Sequence, residues 1–367
     1  MRLIRLLMNE GFRMWQGQRF RFQCRQHSKA RPAGAGRPAF AGLLLSLFLT
    51  ACTLPAYPEG PERGSEPVRL EPDMMRLDDG FLLPVRRWTP VQEPQAILLA
   101  LHGFNDYGMS FDPLAKSLLE RRILTVAIDQ RGFGETEGRG RWHGEERMRE
   151  DVRQVLRELR KTYPDTPLYL LGKSMGGAMA MTVMSNEPVP DVDGTILVAP
   201  AVWARDTMPW YQRWALAIGV RIAPGRTVSP EGLSIDPSDN TEMLREWSRD
   251  PLVITDTRID AIYGLGNLMD QGLAASGALK GETLILYGEN DEVIPPRPTC
   301  RMLMALPDQD SVDWRFVLYP DGWHMLTRDL QQQRVHADIA AWILDRETRL
   351  PSGMERDRDT AIAQLCD

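Results

Sequence analysis

The 367-residue sequence is poor in the residues that bind metal ions. It has five histidines and four cysteines, and they do not show the spacing of a metal site. An internal repeat and a phosphate-binding glycine-rich loop are also lacking. After the first 51 residues the formal net charge is −14, which argues against a nucleic-acid partner. We therefore expect no metal, no cofactor and no nucleic acid.

The N-terminal segment lacks an apolar run long enough to span a bilayer. Its apolar run, Phe40–Ala51, has twelve residues and is interrupted by Ser46 and Thr50. Residues 1–51 carry nine Lys or Arg and one acidic residue. A basic segment followed by a short apolar run is typical of a signal peptide, which we assign to residues 1–51.

The end of this segment, Leu49-Thr50-Ala51-Cys52, resembles the lipobox of bacterial lipoproteins. That resemblance implies cleavage before Cys52, lipidation of its thiol and anchoring in the bacterial cell envelope, with inner and outer membrane both open. A plain secretory signal cleaved near Ala51 is the alternative. Residues 52–72 contain five prolines and predict an extended tether.

Apolar runs typical of buried strands alternate with helix-like runs from residue 96 onward. The strand-like runs are Ala96–Leu101, Leu124–Ile128, Leu168–Leu171, Thr195–Ala199, Thr283–Tyr287 and Trp314–Tyr319. Such alternation predicts an α/β fold with a mostly parallel sheet covered by helices on both faces. Right-handed crossovers then bring the carboxyl ends of these strands to one edge, where functional loops collect.

The sequence Gly172-Lys173-Ser174-Met175-Gly176 lies between a strand-like run and a run of small residues typical of a helix. Glycines at both ends of such a turn let two backbones approach closely, and the turn exposes the serine hydroxyl at the sheet edge. Ser174 is therefore the candidate nucleophile.

A serine nucleophile needs a histidine to take its proton and a carboxylate to orient that histidine. Of the five histidines, His324 alone follows a later strand in the order Ser, acid, His. Asp291 follows the strand before it, and we favour it over Glu289 and Glu292. The backbone N–H groups of Met175 and Phe104 are the candidate oxyanion donors.

Motifs across most of the chain resemble those of the α/β-hydrolase superfamily, specifically its monoacylglycerol lipase and lysophospholipase branch. They are His102–Gly108, Asp129–Gly134 with Gly138 and Gly140, Gly172–Gly177, Asp250–Val253, Gly288–Pro296 and Gly322–His324. The resemblance implies an eight-stranded sheet with a helical cap after the sixth strand, and a serine hydrolase that cleaves single-chain lipid esters without a cofactor. A short-chain esterase or thioesterase of the same fold is the alternative, and a noncatalytic lipoprotein a more distant one.

One position departs from this pattern, because relatives usually carry histidine where this chain has Lys173. Its ammonium either favours anionic head groups in the pocket or points away beneath the edge of the sheet.

Residues 201–278 interrupt the alternation and resemble the cap of this family. Trp203, Trp210 and Trp214 are candidate substrate-binding residues, and the stretch Met208–Ile222 is amphipathic enough to enter a lipid interface. Ordinary packing of these aromatic residues on the core is the alternative.

The remaining boundaries follow from these assignments. The hydrolase domain is predicted over residues 73–350 and a polar tail over residues 351–367. Cys300 and Cys366 would be the cysteines left free, and their spacing does not show whether they pair. The sequence carries no indication of oligomeric state.

Overall fold

The computed structural model describes residues 66–229, 235–308 and 312–366. The strands within them are β1 (Arg69–Leu70), β2 (Met74–Arg76), β3 (Leu82–Trp88), β4 (Ala96–Leu101), β5 (Ile123–Ile128), β6 (Leu168–Lys173), β7 (Gly194–Val198), β8 (Thr227–Val228), β9 (Thr257–Arg258), β10 (Thr283–Gly288), β11 (Trp314–Tyr319) and β12 (Glu355–Arg356). The helices are α1 (Asp112–Leu119), α2 (Glu145–Thr162), α3 (Met175–Ser185), α4 (Trp210–Ile222), α5 (Thr241–Trp247), α6 (Ile259–Ala275), α7 (Pro296–Ala305), α8 (Gln332–Leu344) and α9 (Arg358–Leu365).

Ten of the described strands form one sheet in the order β1-β2-β3-β5-β4-β6-β7-β10-β11-β12. The six strands from β5 to β11 in this order run parallel, with Leu99 opposite Val126 on one side and Leu170 on the other. β4, β5, β6, β7 and β10 are buried along their whole length, which explains their continuous apolar runs. All carboxyl ends of these parallel strands therefore lie at one edge.

Two hydrophobic cores lie on opposite faces of the sheet, because alternate side chains of a strand point to opposite faces. Ile97, Leu99 and Leu101 of β4 join the core that contains residues of α2, α3, α6, α7 and α9. Ala96, Leu98 and Ala100 join the core that contains residues of α1 and α8. Full burial of one such leucine contributes roughly 2 kcal/mol to the free energy of unfolding.

Among the described residues the sheet has ten strands where eight are predicted, because it extends further at both edges. β1 pairs with β2 through Leu70 and Met75, so the sheet begins inside the range predicted as a tether. At the other edge β12 pairs antiparallel with β11. These strands have two residues each, which is too short to produce a recognisable hydrophobic pattern.

The C-terminal segment predicted as a polar tail is packed on the domain. β12 extends the sheet, and α9 packs on α7 with Ala361 fully buried and Leu365 nearly so. A disulfide joins Cys300 of α7 to Cys366, with 5.5 Å between their Cα atoms. The folded domain therefore continues to residue 366.

The segment predicted as a cap contains α4, α5, the short antiparallel pair β8 and β9, and α6. α6 packs closely on α3, since a Cβ at Gly272 would lie 3.0 Å from that of Ala178. Leu268 of α6 belongs to the main core. The part that lies apart from the core is therefore shorter than residues 201–278 and ends before α6.

The predicted signal peptide, Cys52 and most of the predicted tether lie outside the described residues. None of the helices that the structure describes has the length and apolar character of a membrane span.

Candidate active site

Ser174 occupies a sharp turn between β6 and α3. Its backbone has φ 52° and ψ −116°, an unfavourable conformation for a residue with a side chain. A Cβ at Gly172 would collide with the carbonyl oxygen of Gly176, and a Cβ at Gly176 with that of Leu101. The two glycines thus allow the turn, which is held by a 2.9 Å hydrogen bond from Ser174 N to Val198 O.

The structure brings the three predicted catalytic side chains into one hydrogen-bonded chain. His324 Nε2 lies 2.9 Å from Ser174 Oγ, and His324 Nδ1 lies 2.8 Å from Asp291 Oδ2. An ionised carboxylate can only accept hydrogen bonds, so Nδ1 donates to it and Nε2 is left to accept the serine proton. The three residues are 8%, 5% and 3% exposed in the order Ser174, His324, Asp291.

Asp291 is oriented by the backbone that follows it. Its Oδ1 accepts hydrogen bonds from Val293 N at 2.9 Å and Ile294 N at 2.8 Å, which leaves Oδ2 facing His324. The two alternative acids, Glu289 and Glu292, are exposed.

The loops that carry the acid and the histidine are joined directly. Asn290 N donates to Gly322 O at 2.9 Å, and Glu289 N donates to Tyr319 O at 3.0 Å. A Cβ at Gly288 would collide with the carbonyl group of Gly322. Close backbone contact between β10 and β11 therefore fixes the separation of the two loops.

The loop with the predicted oxyanion donor passes beside the serine. A Cβ at Gly103 would lie 3.4 Å from the Cβ of Ser174. Within residues 66–229, 235–308 and 312–366, the N–H groups of Phe104 and Met175 donate no hydrogen bond to the protein. No hydrogen bond within the described residues therefore competes for either N–H group, as the predicted role in binding an oxyanion requires.

The three candidate substrate-binding tryptophans have different surroundings. Trp203 is half-buried and packs against the main core. Trp210 and Trp214 on α4 are 72% and 64% exposed, so these two indoles do not enclose a substrate in this structure.

The loop beside Ser174 is also bound to the segment that follows α5, which the sequence did not indicate. Asn105 Nδ2 donates to Thr257 Oγ1 at 2.7 Å, and Ile254 N donates to Asn105 O at 3.0 Å. Tyr107 Oη donates to Asp250 Oδ2 at 2.5 Å. Asp250 and Tyr107 both lie in motifs shared with the family, and this was the only signal of their role.

The histidine loop is held in a comparable way by the segment before α5. Asp329 accepts a hydrogen bond from Ser238 Oγ at 2.6 Å and another from Trp323 N at 2.8 Å, directly before His324. Burial raises the pKa of Asp329 to about 6, although these hydrogen bonds act in the opposite direction.

Lys173 faces Asp106, and its side chain is almost fully buried. This burial supports the second of the two sequence interpretations, since a buried ammonium cannot meet a head group. In the part of the chain that the structure describes, no cluster of three or more His, Cys, Asp or Glu side chains could hold a metal ion.

A family model described as Serine aminopeptidase, S33 (Hydrolase_4) matches residues 92–331, which is more than half of the chain. The chain belongs to this family. Its match covers the loops that carry Phe104, Ser174, Asp291 and His324, and confirms the predicted α/β-hydrolase resemblance.

Among curated proteins, the chain is similar to the monoacylglycerol lipase of Mycolicibacterium smegmatis, with 28% identity over 265 residues, 70% of this chain and 91% of that protein. It is also similar to the monoglyceride lipase of Homo sapiens, with 26% identity over 73% of this chain and 88% of that protein. The crystal structure of the Paleococcus ferrophilus monoacylglycerol lipase superposes with a TM-score of 0.60 and 20% identity, covering 72% of this chain and 99% of that one. This structural match confirms the predicted fold.

Proposed function

We propose that the protein is a serine hydrolase that cleaves the ester bond of monoacylglycerols or lysophospholipids through an acyl-enzyme on Ser174. The observation that carries the proposal is the hydrogen-bonded chain from Ser174 through His324 to Asp291. Similarity to two monoacylglycerol lipases over 70% or more of the chain supports a lipid ester as the substrate.

The geometry supports a double-displacement mechanism. Ser174 Oγ attacks the ester carbonyl while His324 Nε2 takes its proton, and Asp291 stabilises the resulting imidazolium. The N–H groups of Met175 and Phe104 bind the oxyanion of the tetrahedral intermediate. His324 then gives its proton to the departing alcohol, and a water molecule, deprotonated by the same histidine, releases the fatty acid.

Substrate profiling tests this proposal. Purified wild type and Ser174→Ala should be compared on a monoacylglycerol, a lysophospholipid, a short p-nitrophenyl ester and an aminoacyl p-nitroanilide. We expect turnover of a single-chain lipid in the wild type alone. Turnover of the short ester without either lipid would favour the alternative esterase, and turnover of the anilide alone would favour a peptidase.

We further propose that α4 contacts the lipid surface that holds the substrate. Trp210, Trp214, Ile218 and Ile222 recur every four residues, and all are more than half exposed. Such spacing puts them on one face of a helix, and an exposed apolar stripe of this kind suits a lipid interface. Exposed Arg213 and Arg221 on the same helix would favour an anionic lipid surface.

We also propose that Cys52 anchors the mature protein in a bacterial membrane. The disulfide between Cys300 and Cys366 supports a location outside the cytoplasm, because disulfides persist in oxidising compartments. Labelling with an alkyne fatty acid tests the anchor, with Cys24→Ser as the matched control. The label should be lost in Cys52→Ser and kept in Cys24→Ser, and equal labelling of both variants would rule out this anchor.

A further inference from the structure

Three charged side chains, one from the end of β6 and two from different loops, meet close to the predicted nucleophile. Lys173 directly precedes Ser174, Asp106 lies in the loop with Phe104, and Arg328 follows His324. Asp106 Oδ2 lies 3.8 Å from Lys173 Nζ and 3.7 Å from Arg328 Nη1. Lys173 and Asp106 are 1% and 3% exposed. One buried carboxylate is therefore shared by two cations.

These distances indicate charge attraction without direct hydrogen bonds. Within the described residues, Lys173 Nζ, Arg328 Nη1 and Asp106 Oδ2 make no hydrogen bond. Attraction between charges is stronger where water is excluded, and a buried charge that loses its partner is costly. The position of Asp106 therefore depends on the two cations around it.

Asp106 is closely connected to the predicted oxyanion donor. Asp106 N donates to Gly103 O at 3.3 Å, which closes a turn around Phe104. Asp106 Oδ1 accepts a hydrogen bond from Tyr107 N at 3.0 Å. A shift of the carboxylate would thus shift the whole turn beside Ser174.

We propose that Lys173 is a positioning residue that, through Asp106, holds the Phe104 N–H at the distance from Ser174 that oxyanion binding requires. This inference rests on the proposed hydrolase function. Lys173 itself does not contact the substrate, because it is buried. Arg328 extends the same cluster to the loop of His324.

The role of a charge at position 173 predicts a distinct pH profile. Burial lowers the pKa of the Lys173 ammonium, although Asp106 and Asp329 favour its charged form, while Arg328 disfavours it. His102, at the start of the same loop, also faces the cluster, and burial lowers its pKa. Lys173 should therefore lose its proton at alkaline pH values that are still below the ordinary pKa of lysine, and kcat should fall there.

The test compares Lys173→Met, Lys173→His and Asp106→Asn on a p-nitrophenyl ester, with kcat expressed per site titrated by a fluorophosphonate. We expect kcat to fall about tenfold to a hundredfold in Lys173→Met and in Asp106→Asn with KM within about twofold, because an oxyanion donor acts only in the transition state. The fall in kcat of the double variant, Lys173→Met with Asp106→Asn, should be far smaller than the product of the two single falls. Lys173→His, whose imidazole can also carry a positive charge, should recover part of kcat.

Arg315→Met is the matched control, since Arg315 pairs with Glu355 at the opposite end of β11 from the histidine loop. It should lower the melting temperature and leave kcat per site unchanged. The alkaline loss of kcat should be present in the wild type and absent from Lys173→Met.

Two results would overturn the inference. One is a kcat per site in Lys173→Met within twofold of the wild type, and the other is a loss carried by KM. If Lys173→Met does not accumulate, Asp106→Asn decides in the same way, because asparagine keeps the shape of the side chain. A wild type without ester hydrolysis would instead reject the proposed function.

Discussion

The loops at the carboxyl edge of the sheet and helix α4 differ sharply in how they are held. Ser174, Asp291 and His324 are at most 8% exposed, whereas Trp210 and Trp214 of α4 are 72% and 64% exposed. The proposed chemistry therefore rests on side chains fixed before a substrate arrives. The tryptophans of α4 are free to contact another surface.

The physical reason lies in the number of partners that each region has. The loops that carry the proposed catalytic residues follow buried parallel strands and are hydrogen-bonded to one another, as between Asn290 and Gly322. On α4, Val220 is the buried residue. Substitutions in the loops should consequently change the rate of the chemical step. Substitutions on α4 should change the rate on substrates held in a lipid surface.

The largest effect is expected at the proposed catalytic residues. Ser174→Ala and His324→Ala should each lower kcat by about 10⁶, and the double variant should be no slower, because the residues act as a unit. Asp291→Asn should lower kcat by about 10⁴, since the histidine loses the acceptor that fixes its tautomer. Assays of ester hydrolysis by the purified variants measure these falls in kcat.

The melting temperature serves as the control for folding. Activity of Ser174→Ala close to that of the wild type would contradict the assignment of the nucleophile.

The sequence predicted the edge of the sheet far better than its surroundings. Ser174 lies in a local motif, and buried strands have a recognisable composition, so order along the chain was sufficient to predict that Ser174, Asp291 and His324 lie together. The bond between Tyr107 and Asp250 joins residues 143 positions apart, and no local pattern indicates such a pair.

The cluster around Asp106 was missed for a related reason. Lys173 was recognised as unusual, but its neighbours depend on how β6 and two loops fold together. Polar contacts between loops are set by the whole fold, whereas strands and turns are set largely by adjacent residues.

The second prediction concerns Asp329, which helps to hold the histidine loop. Burial raises its pKa to about 6, from an ordinary value of 3.8, so the folded state keeps this proton at pH values where the unfolded state has lost it. The free energy of unfolding should therefore fall as pH rises from about 4 to 6, by about 3 kcal/mol from this group.

Urea unfolding of wild type and Asp329→Asn between pH 4 and 7 measures the effect. The stability difference should move in favour of the variant as pH rises. If the free energy of unfolding depends on pH in the same way for both proteins, the carboxyl group of Asp329 has an ordinary pKa.

The third prediction tests α4. Trp210→Ser and Trp214→Ser should lower the rate on monoacylglycerol in anionic vesicles roughly tenfold together, because exposed indoles contribute to binding at a lipid interface. The rate on a dissolved short ester should not change. Met304→Ser is the control, since Met304 is 60% exposed on α7.

The same pair of variants separates two roles for these tryptophans. If the tryptophans line the substrate pocket, the variants should be as slow on a dissolved long-chain ester as on vesicles. If the tryptophans bind the lipid surface, the rate on the dissolved long-chain ester should not change. Loss on the short ester as well would mean that the tryptophans support folding.

The smallest effect is expected for the bond that joins the loop beside Ser174 to the segment after α5. Tyr107→Phe removes the hydroxyl that donates to Asp250, while Asp250 keeps its bond from Leu252 N. A hydrogen bond of this kind is worth about 1 kcal/mol, which corresponds to roughly a fivefold fall in kcat if the bond helps to position Phe104. Tyr169→Phe is the matched control, because the Tyr169 hydroxyl donates to Ile343 O near the opposite end of β6. Equal kcat per titrated site in both variants would show that this bond stabilises the fold without positioning the loop beside Ser174.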